Sequence, residues 1–282
     1  MKQQVAGTSA RDATAANLEA FDQAWTPGAR IKARFQYNIE AARKEFLSLL
    51  SRLAISRSGQ RVLDVGFGSG MLMFEFDRSS MIRGVEISKS ALATADRIAR
   101  RLRYSDCVLS TPSSPTRLDF GDGTFTVVIA SHVVEHVEDD IGFMKELLRV
   151  LAPGGWLIVI GPLDNPASGL LTESALANPL FEQGHFHVRN YNAETFAARI
   201  RASGGEVRNV VLSMETWDWK VRGDAWRMRL KDNAIGKIAD RLIATINVPL
   251  AIAPLAWLRA FDRFWARRGY KPRQIAVAVQ RA

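Results

Sequence analysis

The sequence has very little cysteine and no long apolar run. Cys107 is the one cysteine, which excludes an internal disulfide and is typical of a reducing cytoplasm. Residues 1–24 are polar and alanine-rich, without the apolar core of a signal peptide. The longest nearly unbroken apolar stretch, residues 248–258, is too short to span a bilayer. We therefore expect a cytoplasmic protein, either soluble or peripheral to a membrane.

Charge and tryptophan are concentrated in one part of the chain. The 282 residues are 47% hydrophobic, which is enough for a full core and argues against global disorder. Residues 217–273 hold thirteen Lys/Arg against five Asp/Glu, so this stretch carries +8 of the net charge of +9. It also contains five of the seven tryptophans: Trp217, Trp219, Trp226, Trp257 and Trp265. This stretch needs its own interpretation.

Strand-like and helix-like segments alternate along most of the chain. The predicted helices are residues 31–55, 88–103, 140–151 and 192–202. The predicted strands are residues 61–65, 81–87, 107–109, 126–130, 156–160, 206–214 and 274–279. Such alternation favours a parallel sheet with helices on both faces. The last two strands follow one another without a regular strand–helix repeat, which predicts an antiparallel pair.

The predicted fold class is α/β, with a doubly wound, mostly parallel, seven-stranded sheet whose last strand is antiparallel. We divide the chain into an N-terminal helical cap, a Rossmann-like core domain and a basic, tryptophan-rich helical insertion before the last strand. The cap is residues 1–56, the core is residues 57–214 with 273–282, and the insertion is residues 215–272.

A glycine-rich turn follows the first predicted strand, in Val62-Leu-Asp-Val-Gly-Phe-Gly-Ser-Gly70. The missing side chains let a ligand lie against the backbone, and the next segment offers free N–H groups. A dinucleotide fingerprint would need a third glycine at position 71, which is Met71. The alternative to a binding turn is a tight strand-to-helix turn without a ligand.

Glu86 closes the second predicted strand, in Gly84-Val-Glu-Ile-Ser88. An acidic side chain at this position can accept hydrogen bonds from both hydroxyls of a ribose. Ile87 would then lie against an adenine ring. The alternative is an ordinary solvated glutamate at a strand end.

These motifs and three later ones occur in a fixed order. The later ones are Leu118-Asp-Phe-Gly-Asp-Gly-Thr-Phe125, Ser131-His-Val-Val-Glu-His-Val137 and Leu147-Leu-Arg-Val-Leu-Ala-Pro-Gly-Gly-Trp-Leu157. Over residues 55–212 the chain resembles the class I, Rossmann-like S-adenosylmethionine-dependent methyltransferases of the UbiE/UbiG-like group. The Pro-Gly-Gly signature and Met71 both argue against a nucleotide-dependent oxidoreductase.

The resemblance implies S-adenosylmethionine as cofactor. It implies cofactor contacts from Asp64, Gly66, Phe67, Gly68, Gly70, Glu86 and Ile87, with Ser131 and His132 near the methionine moiety. Ser114 stands where the family usually has an acidic residue for the adenine amino group. Arg34, on the N-terminal helix, is a candidate partner of the methionine carboxylate; the alternative for it is a solvated helix face.

All four histidines follow the fourth or fifth predicted strand, where ligands bind in open α/β sheets. His187 and His136 are the candidate bases for an acceptor hydroxyl, because an imidazole titrates near neutral pH. His187 lies in a His-x-Arg-x-aromatic element similar to one in related enzymes, whereas His136 has packing within its helix as the alternative. A metal site formed by His132, His136, His185 and His187 is conceivable, because His-x-His and an i,i+4 pair are plausible ligand spacings, but we expect none.

The expected reaction is methyl transfer to a small-molecule acceptor, namely a hydroxyl of a natural-product, sugar or lipid-like compound. A protein or RNA methyltransferase, and a non-catalytic cofactor-binding subunit, are the alternatives. Nucleic acid is not favoured, since no Asn/Asp-Pro-Pro-Tyr-type motif is present. The resemblance does not identify the acceptor.

The insertion allows two interpretations. In residues 256–268 an apolar face is predicted to contain Trp257, Leu258, Phe261, Phe264 and Trp265, with arginines elsewhere around the helix. That pattern is typical of an amphipathic helix at a membrane surface. The alternative is a lid over the acceptor pocket or a dimer contact, with solvated cations.

Overall fold

A computed structural model describes residues 37–114, 117–163, 191–213, 249 and 252–281. The α-helices are α1 (Tyr37–Arg52), α2 (Lys89–Leu102), α3 (Asp140–Val150), α4 (Ala193–Ala202) and α5 (Leu255–Ala266). The strands are β1 (Arg61–Val65), β2 (Met81–Val85), β3 (Cys107–Ser110), β4 (Phe125–Ser131), β5 (Leu151–Pro162), β6 (Glu206–Ser213) and β7 (Gln274–Gln280). Two short 3-10 helices cover Met73–Glu75 and Val134–His136.

The seven strands form one sheet in the order β3-β2-β1-β4-β5-β7-β6. The first five strands of this order are parallel, and β7 runs antiparallel between β5 and β6. The predicted fold class, with its antiparallel last strand, is confirmed. The strand order reverses between β1 and β4, and the crevice outside such a reversal is where open α/β sheets bind ligands.

The central strands β1, β4, β5 and β7 are largely buried on both faces, as is usual for strands covered by helices. Along β1, Val62 packs toward α1 and α2, whereas Leu63 packs toward α3 and α4. The α1–α2 side includes Phe46, Leu49, Leu50, Ala95 and Ala99. The α3–α4 side includes Phe143, Leu147, Phe196 and Ile200. Strand β1, and the loop that follows it, are therefore held from both sides.

Side-chain caps fix where the helices near the strand ends begin. The hydroxyl of Ser88 accepts the N–H of Ala91 at 3.1 Å, so α2 starts at Lys89, shortly after Glu86. The carboxylate of Asp139 accepts the N–H of Gly142 at 2.9 Å and starts α3. Such caps satisfy backbone donors that the first helical turn leaves without partners.

The end of β2 and the start of β5 differ from the predicted strand boundaries. Strand β2 ends at Val85, so Glu86 and Ile87 lie in the loop beyond the sheet. Strand β5 begins at Leu151, so the Pro-Gly-Gly signature forms an irregularity within the strand, where the pairing with β4 changes register. The predicted start of this strand, residue 156, is where the pairing with β4 resumes after the irregularity.

The cap and the insertion fall largely outside the described residues. The predicted helix of residues 31–55 is described from Tyr37 and ends at Arg52. Of the insertion, the described part is residue 249, residues 252–254 and helix α5 with the turn after it. The proposed domain boundaries therefore remain predictions. Within the described part of the chain, no helix is long and apolar enough to cross a membrane.

Candidate functional site

The glycine-rich loop after β1 requires glycine for two separate reasons. Gly66, Gly68 and Gly70 have φ of +69°, +52° and +72°, a region that L side chains rarely adopt. At Gly66 an added Cβ would also lie 2.3 Å from Cγ2 of Val133. The segment after β4 therefore rests directly on the glycine loop and brings the carboxyl ends of β1 and β4 together.

Phe67 lies in the same loop but points away from the surface. Its side chain is buried, and its ring occupies the space that a side chain at Gly84 of β2 would need, 2.6 Å from the ideal Cβ position. The ring anchors the loop to β2. Any contact of Phe67 with the expected cofactor would therefore come from its backbone.

Glu86 connects the end of β2 to the glycine loop. Its Oε2 accepts the N–H of Gly68 at 2.8 Å, and its Oε1 accepts those of Ile87 and Ser88 at 2.8 and 3.1 Å. These three hydrogen bonds hold the carboxylate at the junction of the two loops. The exposed side chain of Ile87 lies next to it and offers an apolar surface for a flat ring.

Asp64, the carboxylate of β1, is buried beneath this loop. Burial, and after it the negative charge of Glu86, raise the pKa of Asp64 well above its usual value, against the effect of a hydrogen bond with the backbone of Met73. Asp64 therefore holds a proton more readily than an aspartate in water does. A protonated Asp64 can donate a hydrogen bond, which an ionised one cannot.

The segment after β4 combines two histidines with a buried carboxylate. His132 has φ of +55°, unusual for a residue with a side chain, and its exposed imidazole places Nδ1 3.4 Å from Oε1 of Glu135. Glu135 is 1% exposed. Its burial alone would raise its pKa, but the hydrogen bond and charge of His132, with the charge of His136, outweigh this and lower the pKa. Glu135 is therefore an anionic anchor for the imidazole.

Glu135 also has one oxygen without a partner. Its Oε2 is buried and accepts no hydrogen bond among the residues that the structure describes. Such groups are rare in folded proteins and are often explained by a ligand, ion or water. His136, a candidate base with packing in its helix as the alternative, is half-buried at the end of the 3-10 helix Val134–His136.

The structure brings the described candidate residues to one edge of the sheet. Asp64 lies near the end of β1 and the glycines follow that strand, Glu86 and Ile87 follow β2, and Ser131 ends β4. Ser114 is half-buried in the loop after β3. Arg34, His185 and His187 lie outside the described residues, so their predicted roles, and the metal alternative that involves the last two, stay untested.

Sequence reasoning did not identify the roles of two residues in this cluster. Val133 packs on Gly66, and Glu135 holds the imidazole of His132. The spacing His132-Val-Val-Glu135-His136 was the available signal, because residues three and four apart meet on one face of a helical turn. The packing of Val133 has no comparable local signature.

The comparisons with known proteins assign this chain to one family. Residues 63–159 match the model of the methyltransferase domain. The erythromycin 3''-O-methyltransferase of Saccharopolyspora erythraea is 32% identical over 230 residues, which cover 77% of this chain and 71% of that protein. The chain therefore belongs to the S-adenosylmethionine-dependent methyltransferases. The predicted cofactor and enzyme class are confirmed.

Two further relatives extend the comparison. The 27-O-demethylrifamycin SV methyltransferase of Amycolatopsis mediterranei is 27% identical over 170 residues, covering 60% of this chain and 62% of that protein. The crystal structure of geranyl diphosphate C-methyltransferase from Streptomyces coelicolor, with S-adenosylhomocysteine bound, matches with a TM-score of 0.56. That match is 19% identical and covers 87% of this chain and 77% of the other, so it supports the fold alone.

Proposed function

We propose that this enzyme methylates a hydroxyl of a small natural product or a related sugar or lipid-like compound. The observation that carries the proposal is the exposed imidazole of His132, held by the buried carboxylate of Glu135 beside the glycine loop. A hydroxyl acceptor needs a base, whereas an amine needs only to arrive neutral. The erythromycin 3''-O-methyltransferase and the 27-O-demethylrifamycin SV methyltransferase are both named for an oxygen position, which supports the same acceptor group.

We assign cofactor binding to the loops after β1 and β2. The glycine loop leaves room for a ligand against its backbone. The carboxylate of Glu86, held at this loop by the N–H of Gly68, would accept from the ribose. Ile87 would pack on the adenine, and Ser114 would accept from its amino group. Asp64, Ser131 and His132 would complete the site toward the methionine moiety.

The cofactor and the protein contribute different parts of the methyl-transfer chemistry. When bound, S-adenosylmethionine supplies a methyl group on a positively charged sulfur, which is already activated for displacement. The protein must align the acceptor and remove its proton. With Nδ1 of His132 turned to Glu135, Nε2 is the nitrogen left to accept that proton. Glu135 then stabilises the imidazolium, as the carboxylate of a catalytic triad does for its histidine.

His136 and His187 are the alternative bases. His136 lies within electrostatic reach of Glu135 but is less exposed than His132. His187 keeps its place as a prediction from the sequence. A residue near the methionine moiety is also near the transferred methyl group, so the cofactor contact predicted for His132 is compatible with its action as a base.

A paired acceptor panel tests the proposed function. Each hydroxyl compound is offered beside its own methyl ether and beside the analogue with an amine in place of the hydroxyl, and release of S-adenosylhomocysteine is measured. We expect turnover with hydroxyl compounds and none with their ethers. Faster turnover of the amine series would reject O-methylation, and methylation of only protein or RNA would reject a small acceptor.

Replacing Glu86 with alanine is expected to weaken binding of S-adenosylmethionine by about 1.5–3 kcal/mol, the range for charge-assisted hydrogen bonds. The substitution removes the acceptor proposed for the ribose and also releases the N–H of Gly68. Calorimetric titration measures the affinity.

Two comparisons separate binding from folding for this variant. Glu194→Ala removes an exposed glutamate on α4 and should leave affinity unchanged. Glu86→Gln keeps an acceptor oxygen for the loop but loses the charge, so we expect an intermediate affinity. Unchanged affinity in Glu86→Ala would remove this residue from the cofactor site.

A further inference from the structure

Helix α5 is fixed on α1 by one of its faces. Leu258 is buried against Ala41 of α1. The guanidinium of Arg259 donates to both carboxylate oxygens of buried Glu45, at 2.9 and 2.7 Å, and to the hydroxyl of Ser48 at 2.8 Å. These contacts fix the rotation of α5 about its own axis. The packing, and not the sequence pattern alone, therefore determines which of its residues face away from α1.

The residues predicted to form one apolar face are divided between two faces. Leu258 is turned inward, whereas Trp257, Phe261 and Phe264 are 65%, 47% and 44% exposed. The spacings of four and three residues place the three exposed rings on the same side of the helix. Ile252, just before the helix, is 67% exposed. A clustered apolar surface of this kind marks an interaction site, unlike single exposed residues.

The surface around these rings is positively charged. Arg263, Arg267, Arg268 and Lys271 are all exposed. The guanidinium of Arg268 lies 3.5 Å from the centre of the Phe264 ring, so a cation sits directly on the aromatic face. Asp262, the one acidic residue between positions 252 and 281, is buried. The partner of this face must therefore accept both aromatic rings and several positive charges.

The positive charges distinguish between two candidate partners for this face of α5, a second copy of the chain and a lipid surface. In a two-fold dimer the same patch meets itself, so the arginines of one copy would face those of the other. A lipid surface with anionic headgroups instead offers an interfacial layer for the rings and negative charge for the arginines. We propose that the exposed face of α5 binds an anionic lipid surface. The proposal does not depend on the acceptor or on the catalytic base.

Vesicle flotation of the full-length protein tests this proposal. Vesicles of phosphatidylcholine alone are compared with vesicles containing phosphatidylglycerol, at low and at high salt. We expect binding to the anionic vesicles only, and its loss at high salt, because exposed charges separated by more than the Debye length are screened. Equal binding to both vesicles, or binding to neither, would overturn the proposal.

Two variants and two matched controls locate the contact. The aromatic variant combines Trp257→Ser, Phe261→Ser and Phe264→Ser, and the charge variant combines Arg263→Glu and Arg267→Glu. We expect each variant to weaken vesicle binding at least about tenfold. Val210→Ser/Leu212→Ser removes exposed apolar residues of β6, and Arg97→Glu/Arg101→Glu reverses exposed charges of α2. Neither control pair should change binding. A control pair that weakened it equally would reject α5 as the contact.

Two further measurements test whether the variants keep their fold and whether this face binds a second copy of the chain. The melting temperature and the affinity for S-adenosylmethionine should be unchanged in the α5 variants, since the altered side chains are all exposed. Light scattering in solution gives the oligomeric state. A wild-type dimer that the aromatic variant converts to a monomer would assign this face to a second copy and reject the lipid surface.

Discussion

Replacing His132 with alanine is expected to lower turnover by roughly 10²–10⁴-fold, the usual contribution of a positioned general base. The imidazole is exposed at the end of β4, and its Nδ1 is held by a buried carboxylate. Alanine removes the group that accepts the hydroxyl proton but leaves the glycine loop and Glu86 in place. We therefore expect the fold change in affinity for S-adenosylmethionine to be smaller than the fold change in turnover. Steady-state kinetics and calorimetric titration on the same samples measure the two effects.

His136→Ala and His187→Ala complete the comparison among the candidate bases. If one of these variants loses the activity and His132→Ala keeps it, the base is assigned to that histidine. If none of the three slows turnover, histidine base catalysis is rejected and an amine acceptor gains support. The wild-type pH–rate profile provides a second criterion, because its acidic limb should disappear in the variant that lacks the base.

The role of Glu135 is separated from simple packing by Glu135→Gln. Glutamine has nearly the same shape but carries no charge to stabilise an imidazolium. If Glu135 positions and supports His132, kcat should fall and the acidic limb of the pH–rate profile should move to lower pH. A purely structural role would lower the melting temperature without moving the profile.

The sheet, and the candidate residues of one half of the site, could be predicted because both depend on local patterns. Apolar runs and glycine turns located all seven strands, although β5 begins before its predicted start, and the antiparallel end of the sheet followed from two strands without a helix between them. The glycine loop and Glu86 could be named as candidates because each is a short motif at a strand end. In the structure the loop glycines have positive φ and Glu86 accepts the N–H of Gly68, whereas their cofactor contacts stay a prediction.

The other half of the site depends on contacts between distant segments. The fit of Val133 on Gly66 joins residues 67 positions apart in the sequence, and no periodicity reveals it. Helix α5 shows the same limit, because its apolar residues were predicted to share one face. In the structure, the ion pair between Arg259 and Glu45 holds α5 on α1, with Leu258 buried and Trp257 exposed.

Replacing Gly66 with alanine is expected to destabilise the protein by about 2–5 kcal/mol and to weaken cofactor binding. The left-handed backbone conformation contributes about 1–2 kcal/mol for a residue with a side chain. The contact with Val133, 2.3 Å from the new Cβ, adds an overpacking cost of about 1–3 kcal/mol. Chemical denaturation measures the stability, and calorimetric titration measures the affinity for S-adenosylmethionine.

The two contributions can be measured separately, because the chain offers a matched glycine. Gly154 has φ of +72°, and an added Cβ there would meet nothing within 4 Å. Gly154→Ala should therefore show only the backbone cost of about 1–2 kcal/mol. The double variant Gly66→Ala/Val133→Ala removes the clashing methyl group, so it should be more stable than the sum of the single variants predicts by about 1–3 kcal/mol. Additive single effects would mean that Val133 does not rest on Gly66, and the proposed contact between the glycine loop and the histidine segment would then be wrong.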